Sequence, residues 1–499
     1  MNGPIDTEAA AQDPGFPPPF LRIAAARFPR LRGAEAGSPW NGRLLACQLL
    51  KAGWKRGVYR VRTAGASAIL KLSFHALARW KLQSEARLLQ VLHRRGIPVP
   101  RVLGWGGTAP GRYGLLLEEL PGRSVAAAWE ETIDPRGREA LLQRLAQAVR
   151  TLHDARVESV DPHAGNVLAD GDTLRWIDGG AMRLRPGRLG WKRRGRNLAA
   201  FHASFSSLGP IAPRAWIRAL RAYLRGDLRG SKGRTLARRI LRRSARLSRH
   251  RLRRRARRSL RSNRHFLRVV SGRCRAFVRR SAAGESWGKF LSDPESLFQG
   301  AATIKDGRST HVARIEWNGR AACLKRWNRK SLLDRLQHRW RPSRSRRAWL
   351  LGHALEIAGV PTPQTIAAFE ERRWLGPGRS YLVTEWGLGE TAAAILEREP
   401  DSPAARILVT AAAHSIAKLH QAGLRHRDLK PHNLLFDPAC GQVSFLDIDA
   451  ASFLSDPRRR DTLLARDRQR FLRDLPADPA LRARLRQLFE SAYQEAIRS

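Results

Sequence analysis

The sequence predicts an α+β protein built from two tandem bilobal units joined by an arginine-rich helical connector, and three observations carry that expectation. At 499 residues the chain exceeds the size at which one hydrophobic core keeps growing. Strand-like segments followed by helical ones occur twice in the same order. Between the two occurrences, residues 229–280 carry 22 Lys or Arg and no Asp or Glu. The expected divisions are a disordered tail over 1–40, a first unit over 41–228, a basic and helical connector over 229–280, and a second unit over 281–499.

The tail, MNGPIDTEAAAQDPGFPPPF, has neither a basic start nor an apolar run before its prolines, so no secretory signal is expected there. In the first unit, alternation over Val58–Val61 and Ala68–Leu72 predicts strands, and the stretch Trp80–Arg94 predicts a helix ended by Gly96-Ile97-Pro98. In the connector, Leu236, Ile240, Leu241 and Leu247 fall at helical spacings, which predicts a basic amphipathic helix whose pattern decays beyond Leu247. The second unit repeats the order of the first, with strands over His311–Trp317 and Ala321–Lys325 and a helix over Ala348–Ala358 ended by Gly359-Val360-Pro361. Apolar segments with acidic ends, GLLLEEL and SYLVTEW, follow the two helix ends.

Composition narrows the function classes. A hydrophobic content of 42% excludes wholesale disorder, because that much apolar surface offsets the entropy of ordering a core. The formal charge of +50 predicts attraction to a polyanion, either nucleic acid or anionic lipid. Cys47, Cys274, Cys323 and Cys440 lie far apart with no C-x-x-C pair, which points to a reducing compartment. No apolar run approaches the roughly 18 residues of a spanning helix, so any membrane contact is expected to be peripheral.

The chemistry resides in His426-Arg427-Asp428-Leu429-Lys430-Pro431-His432-Asn433, which matches the protein-kinase catalytic loop H-R-D-L-x-x-x-N. Phosphoryl transfer needs a carboxylate to take the acceptor hydroxyl's proton, and Asp428 is placed for it, with Lys430 able to neutralise the moving phosphoryl charge. A hard magnesium ion bridging nucleotide phosphates wants oxygen ligands. Asn433 supplies one, and Asp447, at the end of the apolar strand after the loop, supplies another. Upstream, Ala322-Cys323-Leu324-Lys325 resembles the kinase strand whose lysine holds the nucleotide phosphates.

The first half offers the same parts in the same order: Lys71 after Ala68-Ile69-Leu70, Asp161 and Asn166 in D-x-x-x-x-N, and Asp178 after Trp176-Ile177. Glu85 sits on the helix after the lysine strand, where kinases place the carboxylate that positions the lysine. Two departures stand out. Ser159-Val160 replaces His-Arg ahead of Asp161, so the packing that orients this aspartate must differ. Aligned on the two G-[IV]-P ends, Ala348 falls where Glu85 sits, leaving Lys325 without its expected partner. Neither half has an intact G-x-G-x-x-G; the candidates for the phosphate-covering loop are Gly53 to Gly57 and Asp306 to Thr310. His153 and His163 have no companions at metal-ligand spacing, so no zinc site is expected.

These segments, together with SRSRRAWLLGHALEIAGVPTP, resemble the bacterial lipopolysaccharide kinase family, the Kdo and heptose kinases of the core oligosaccharide. The resemblance covers Arg273–Ser499 most strongly and Leu45–Arg225 more weakly, there through I-D-G-G-A-M-R-L and N-L-A-A-F-H. It implies two kinase-like folds, ATP and Mg2+ as cofactors, and a sugar hydroxyl of the lipid A-core glycolipid as acceptor. It also implies action at the cytoplasmic face of the inner membrane, and it favours anionic lipid over nucleic acid as the partner of the basic connector. A protein Ser/Thr kinase, and a pseudokinase scaffold bound to membrane or RNA, use the same residues and stay open at this point.

Overall fold

The computed structural model describes residues 46–498 apart from 54–55, 64, 74–76, 110–111, 206–207, 209–210, 227–229, 273, 285, 329–341, 374–375 and 455–458. The expected tail over 1–40 lies outside the described residues. The chain divides into two compact units, Met1–Ser244 and Ala245–Ser499.

In the first unit five antiparallel strands form one sheet in the order Ala46–Gly53, Arg56–Arg62, Ser67–Ser73, Arg112–Glu118, Val102–Ala109. Side chains alternate along a strand, so Tyr59 and Val61 bury one face together with Ala68, Leu70, Leu72 and Leu116. Lys71, out of phase with Leu70 and Leu72, points to the other face. The helix Ala78–Arg94 covers that face, burying Leu82, Glu85, Ala86, Leu89 and Leu92 at helical spacings. It stops where Gly96 takes a left-handed φ of +69°, which costs glycine little.

The lower lobe follows as helices Val125–Glu131 and Pro135–Asp154, the hairpin Val167–Asp170 with Thr173–Trp176, and helices Trp191–Ser204 and Pro213–Leu224. Local chemistry sets the helix starts: Ser124 accepts from Ala127 N at 3.1 Å, and Asp134, ahead of Pro135, accepts from Gly137 N at 2.8 Å.

The second unit repeats this plan and adds to it. Strands Ala302–Asp306, Thr310–Trp317, Arg320–Trp327, Gly376–Glu385 and Thr365–Arg373 take the same neighbour order. The helix Arg344–Ile357 follows the lysine strand, and Gly359 repeats the left-handed stop at φ +64°. Below lie helices Ala392–Arg398, Pro403–Gln421, Arg460–Arg473 and Pro479–Arg498, with the hairpin Leu434–Asp437 and Gln442–Phe445. The turn of that hairpin carries the exposed Cys440, whose thiol donates to Asp437 Oδ2 at 3.3 Å.

The connector differs from expectation at both of its boundaries. It is one helix, Gly230–Ala256, continuing well past Leu247. Its first part belongs to the first unit: Ile240 is buried, Leu236 and Ile240 face Gly195, and Ser244 Oγ lies 2.7 Å from His202 Nδ1. Its later part belongs to the second unit, where Leu252 and Ala256 enter the core and Arg253 lies over the Phe453 ring at 4.7 Å. Apolar residues at 252 and 256, and arginine stems used as packing surface, prolong the helix where the leucine pattern fades.

Residues 266–279, assigned from their charge to the connector, are instead a hairpin, Phe266–Ser271 with Cys274–Arg279. It pairs on the strand Thr365–Arg373 and enlarges the second sheet to seven strands. Cys274, Ala276 and Val278 alternate into the core, which explains why a segment this basic folds.

Candidate active site

In the first unit the lysine and its helix partner meet as expected: Lys71 Nζ donates to Glu85 Oε1 at 2.6 Å, with both side chains almost wholly buried. The same ammonium donates to Ile177 O at 3.3 Å and lies 3.5 Å from Asp178 Oδ1. Arg56 shares the carboxylate, its Nη2 donating to Glu85 Oε2 at 3.0 Å. Asn166 follows from the 3-10 turn Ala164–Asn166, and its Nδ2 donates to Asp161 O at 3.3 Å. Lys71, Glu85 and Asp178 are therefore in mutual reach, while Asn166 touches Asp161 through the backbone alone.

The second unit assembles its own set. Asn433 Nδ2 donates to Asp428 O at 2.8 Å and to its Oδ2 at 3.2 Å, and Lys430 Nζ lies 3.2 Å from Asp428 Oδ1. Lys325 forms a short ion pair with Asp447 and a second one, at 3.2 Å, with Asp449 Oδ1. The expectation that Lys325 lacks a partner is corrected: the partner comes from the loop after Asp447, not from the helix. Ala348, where a helix carboxylate would sit, is fully buried in the core. Asp449 is buried as well and accepts from Arg344 at 3.0 Å (Nε) and 2.7 Å (Nη2).

Burial, and then the neighbouring Asp449, push the Asp447 carboxyl above its usual range. Burial alone would raise Asp449 too, but its hydrogen bond to Asp447 and the Lys325 and Arg344 cations hold it well below. Asp447 itself sits in a left-handed backbone at φ +48°, unusual for a residue with a side chain, whereas Asp178 is at −119°.

Both catalytic loops rest on a buried His, an Asn or Asp, and a Tyr that sequence reading did not find. In the first unit Asn197 Nδ2 donates to Ser159 O at 2.5 Å, so its Oδ1 is left to accept from His153 Nε2 at 3.0 Å. His153 Nδ1 then accepts from the Tyr223 hydroxyl at 2.7 Å. Burial drives His153 down to about 4, which keeps it neutral. In the second unit Asp467 Oδ2 accepts from His426 N at 2.7 Å and lies 3.7 Å from His420 Nε2, and His420 Nδ1 is 2.8 Å from the Tyr493 hydroxyl. His426 adds a bond available to this unit alone, its Nε2 donating to Leu446 O at 2.8 Å, one residue before Asp447.

The packing behind Asp161 thus differs from that behind Asp428 as the Ser159-Val160 replacement required. Val160 N instead donates to Ala181 O at 2.6 Å. Lys430 has His163 as its counterpart, and His163 Nδ1 accepts from Gly165 N at 2.9 Å. Both candidate phosphate-covering loops fall at the hairpin that leads into the lysine strand, where Gly53 pairs with Arg56 and Asp306 with His311. Trp54 and Lys55 lie outside the described residues.

Comparison with known proteins places a family on each unit. Residues 289–484 match the lipopolysaccharide kinase (Kdo/WaaP) family, and residues 46–189 match the phosphotransferase enzyme family, APH. A solved structure titled "WaaP in complex with acyl carrier protein" is similar at 23% identity and a TM-score of 0.33, over 41% of this chain and 89% of that one. No curated protein matches. Two kinase-like domains stand in tandem, and the protein is a phosphotransferase of the kinase type.

Proposed function

We propose that this kinase transfers phosphate from ATP to a sugar hydroxyl, a Kdo or a heptose, of the lipid A-core glycolipid at the cytoplasmic face of the inner membrane. The observation that carries the reading is that the unit matching the lipopolysaccharide kinase family sets Lys325 on Asp447, and Lys430 and Asn433 on Asp428, with the amide of Leu446, just before Asp447, donating to Asn433 O.

The donor set suits a hard cation. The Asn433 nitrogen is engaged by Asp428, which leaves its oxygen as the ligating end, and Asp447 offers a carboxylate. Magnesium held there would neutralise charge on the phosphate oxygens. Lys325 binds and orients phosphate, exchanging its ion pair with Asp447 for the incoming anion. Asp428 takes the acceptor hydroxyl's proton as that oxygen bonds to phosphorus and the bond to the departing nucleoside diphosphate breaks. Lys430, beside Asp428, offsets the negative charge that gathers there.

Transfer of label from γ-labelled ATP to purified core glycolipid tests the substrate. Labelling of the glycolipid with generic protein acceptors left blank supports the proposal. Labelling of the proteins alone would make the chain a protein Ser/Thr kinase, and labelling of neither would leave a scaffold.

The location is part of the same proposal. Among the described residues no helix is long and apolar enough to cross a membrane. Arg234, Arg238, Arg239, Arg242, Arg243 and Arg246 lie exposed on the connector helix. Each basic residue at an anionic leaflet contributes about 1 kcal/mol, so these six supply roughly 6 kcal/mol of attraction. Replacing Arg238, Arg239, Arg242 and Arg243 by Gln is expected to release the protein from vesicles containing anionic lipid while leaving ATP affinity unchanged. Salt near 1 M, where the screening length is about 3 Å, should do the same to the unaltered protein. Undiminished vesicle binding in both experiments would remove the membrane from the proposal. Arg253 is a poor target, because it packs on Phe453.

A further inference from the structure

We infer that Asp449 is the positioning residue for Lys325, having taken over from the loop the task that Glu85 performs from the helix in the first unit. The inference rests on reading the second unit as an ATP-using cleft.

Three observations make the two carboxylates equivalents. Each is buried and carries one lysine and one arginine: Glu85 holds Lys71 and Arg56, and Asp449 holds Lys325 and Arg344. Their positions are reciprocal. Counting back from the glycines that end the two helices, Glu85 corresponds to Ala348, and counting on from Asp178 and Asp447, Gly180 corresponds to Asp449.

The space is reciprocal too. A Cβ built on Gly180 would lie 2.7 Å from Glu85 Oε2, closer than real Cβ contacts come. A side chain at the loop position would therefore displace the Glu85 carboxylate from the place it holds, and each unit has one of the two acids with a small residue opposite. The chemistry favours having one. Asp178 or Asp447 already faces the lysine, so one further carboxylate anchors the ammonium, whereas two would crowd buried negative charge around it.

Asp449 also explains how Lys325 is shared. Without it, Asp447 alone would face the ammonium, and the acid that must serve the metal would be tied to the lysine. With it, Lys325 retains a fixed anchor after Asp447 turns to its other partner.

The test uses the full chain carrying Lys71→Ala, which removes the first unit's ammonium, and reads ATP affinity by calorimetry, kcat and KM for transfer, and thermal unfolding. Asp449→Asn keeps the shape and removes the charge. It is expected to weaken ATP binding and kcat/KM about tenfold or more with little change in the unfolding temperature. Asp449→Gly should lose at least as much. Adding Ala348→Glu to Asp449→Gly, which rebuilds the first unit's arrangement, should recover most of the affinity.

Ala348→Glu with Asp449 intact should bind ATP worse than the parent, because both side chains then claim one space. ATP binding by Asp449→Asn equal to the parent would overturn the inference, as would a folded double variant no better than Asp449→Gly. Failure of the parent to bind ATP at all would instead sink the underlying reading of the second unit.

Discussion

The two units share a scaffold and differ in how the scaffold is used. Both support the catalytic loop with a buried His, an Asn or Asp, and a Tyr: His153, Asn197 and Tyr223 in one, His420, Asp467 and Tyr493 in the other. The loops they support have diverged. The second keeps His426 and ties it to the carbonyl before Asp447, while the first has Ser159 there and reaches Ala181 through Val160. The support beneath a catalytic loop is thus separable from the loop's own motif, and it persists where the motif has changed.

The sharpest way to break this comparison is at the catalytic aspartates. Asp428→Ala is expected to lower glycolipid phosphorylation by about 10²- to 10⁴-fold, the usual contribution of a positioned general base. Asp161→Ala should leave a measurable fraction of transfer or remove a second product. The reverse pattern, read from labelled product, would make the first unit the working one.

Next in size are the supports. Asp467→Ala deprives the buried His426 amide of its acceptor, and Asn197→Ala removes the donor to the Ser159 carbonyl and the acceptor for His153 Nε2. Each is expected to cost about 1–3 kcal/mol per group left unpaired, measured by denaturant unfolding. A negligible loss at Asn197 beside a full loss at Asp467 would show that the first unit has relaxed its support as well as its loop.

A final prediction concerns pH. Burial brings His153 and His202 down to about 4, so in the folded first unit they bind protons only near that value, while the unfolded chain binds them near 6.5. Their contribution is therefore complete above pH 6.5 and is lost as pH falls from there towards 4. The slope is about 1.4 kcal/mol per pH unit for each histidine. Thermal unfolding followed across that range, with His202→Gln expected to flatten the profile, checks it.

Much of this arrangement was legible in the sequence because it is local. The left-handed glycines after each helix, the alternation placing Lys71 and Lys325 on strands, and the loop from Asp428 to Asn433 are all encoded within a few neighbouring residues. What was illegible depends on contacts between distant segments. Asp449 reads as one more loop acid until Arg344 and Lys325 close on it. His153, dismissed as a metal ligand, finds its partners in helices that lie well along the chain. The hairpin over 266–279 was hidden by its own arginines, since a count of charge masks the alternation of Cys274, Ala276 and Val278. The connector helix was cut short for the same reason, because arginine stems do the packing that a search for leucines overlooks.

Cys440 offers something practical. Of the four cysteines it alone is exposed; Cys274 is buried with its thiol pushed up to about 11, and burial raises Cys47 and Cys323 as well. A thiol-selective fluorophore added near neutral pH should therefore couple at this one position, since the thiolate is the reactive form. It would sit on the turn of the hairpin whose strands lead from Asn433 and into Asp447. The unmodified chain thus carries its own reporter, seven residues from each of the two groups proposed to hold the metal.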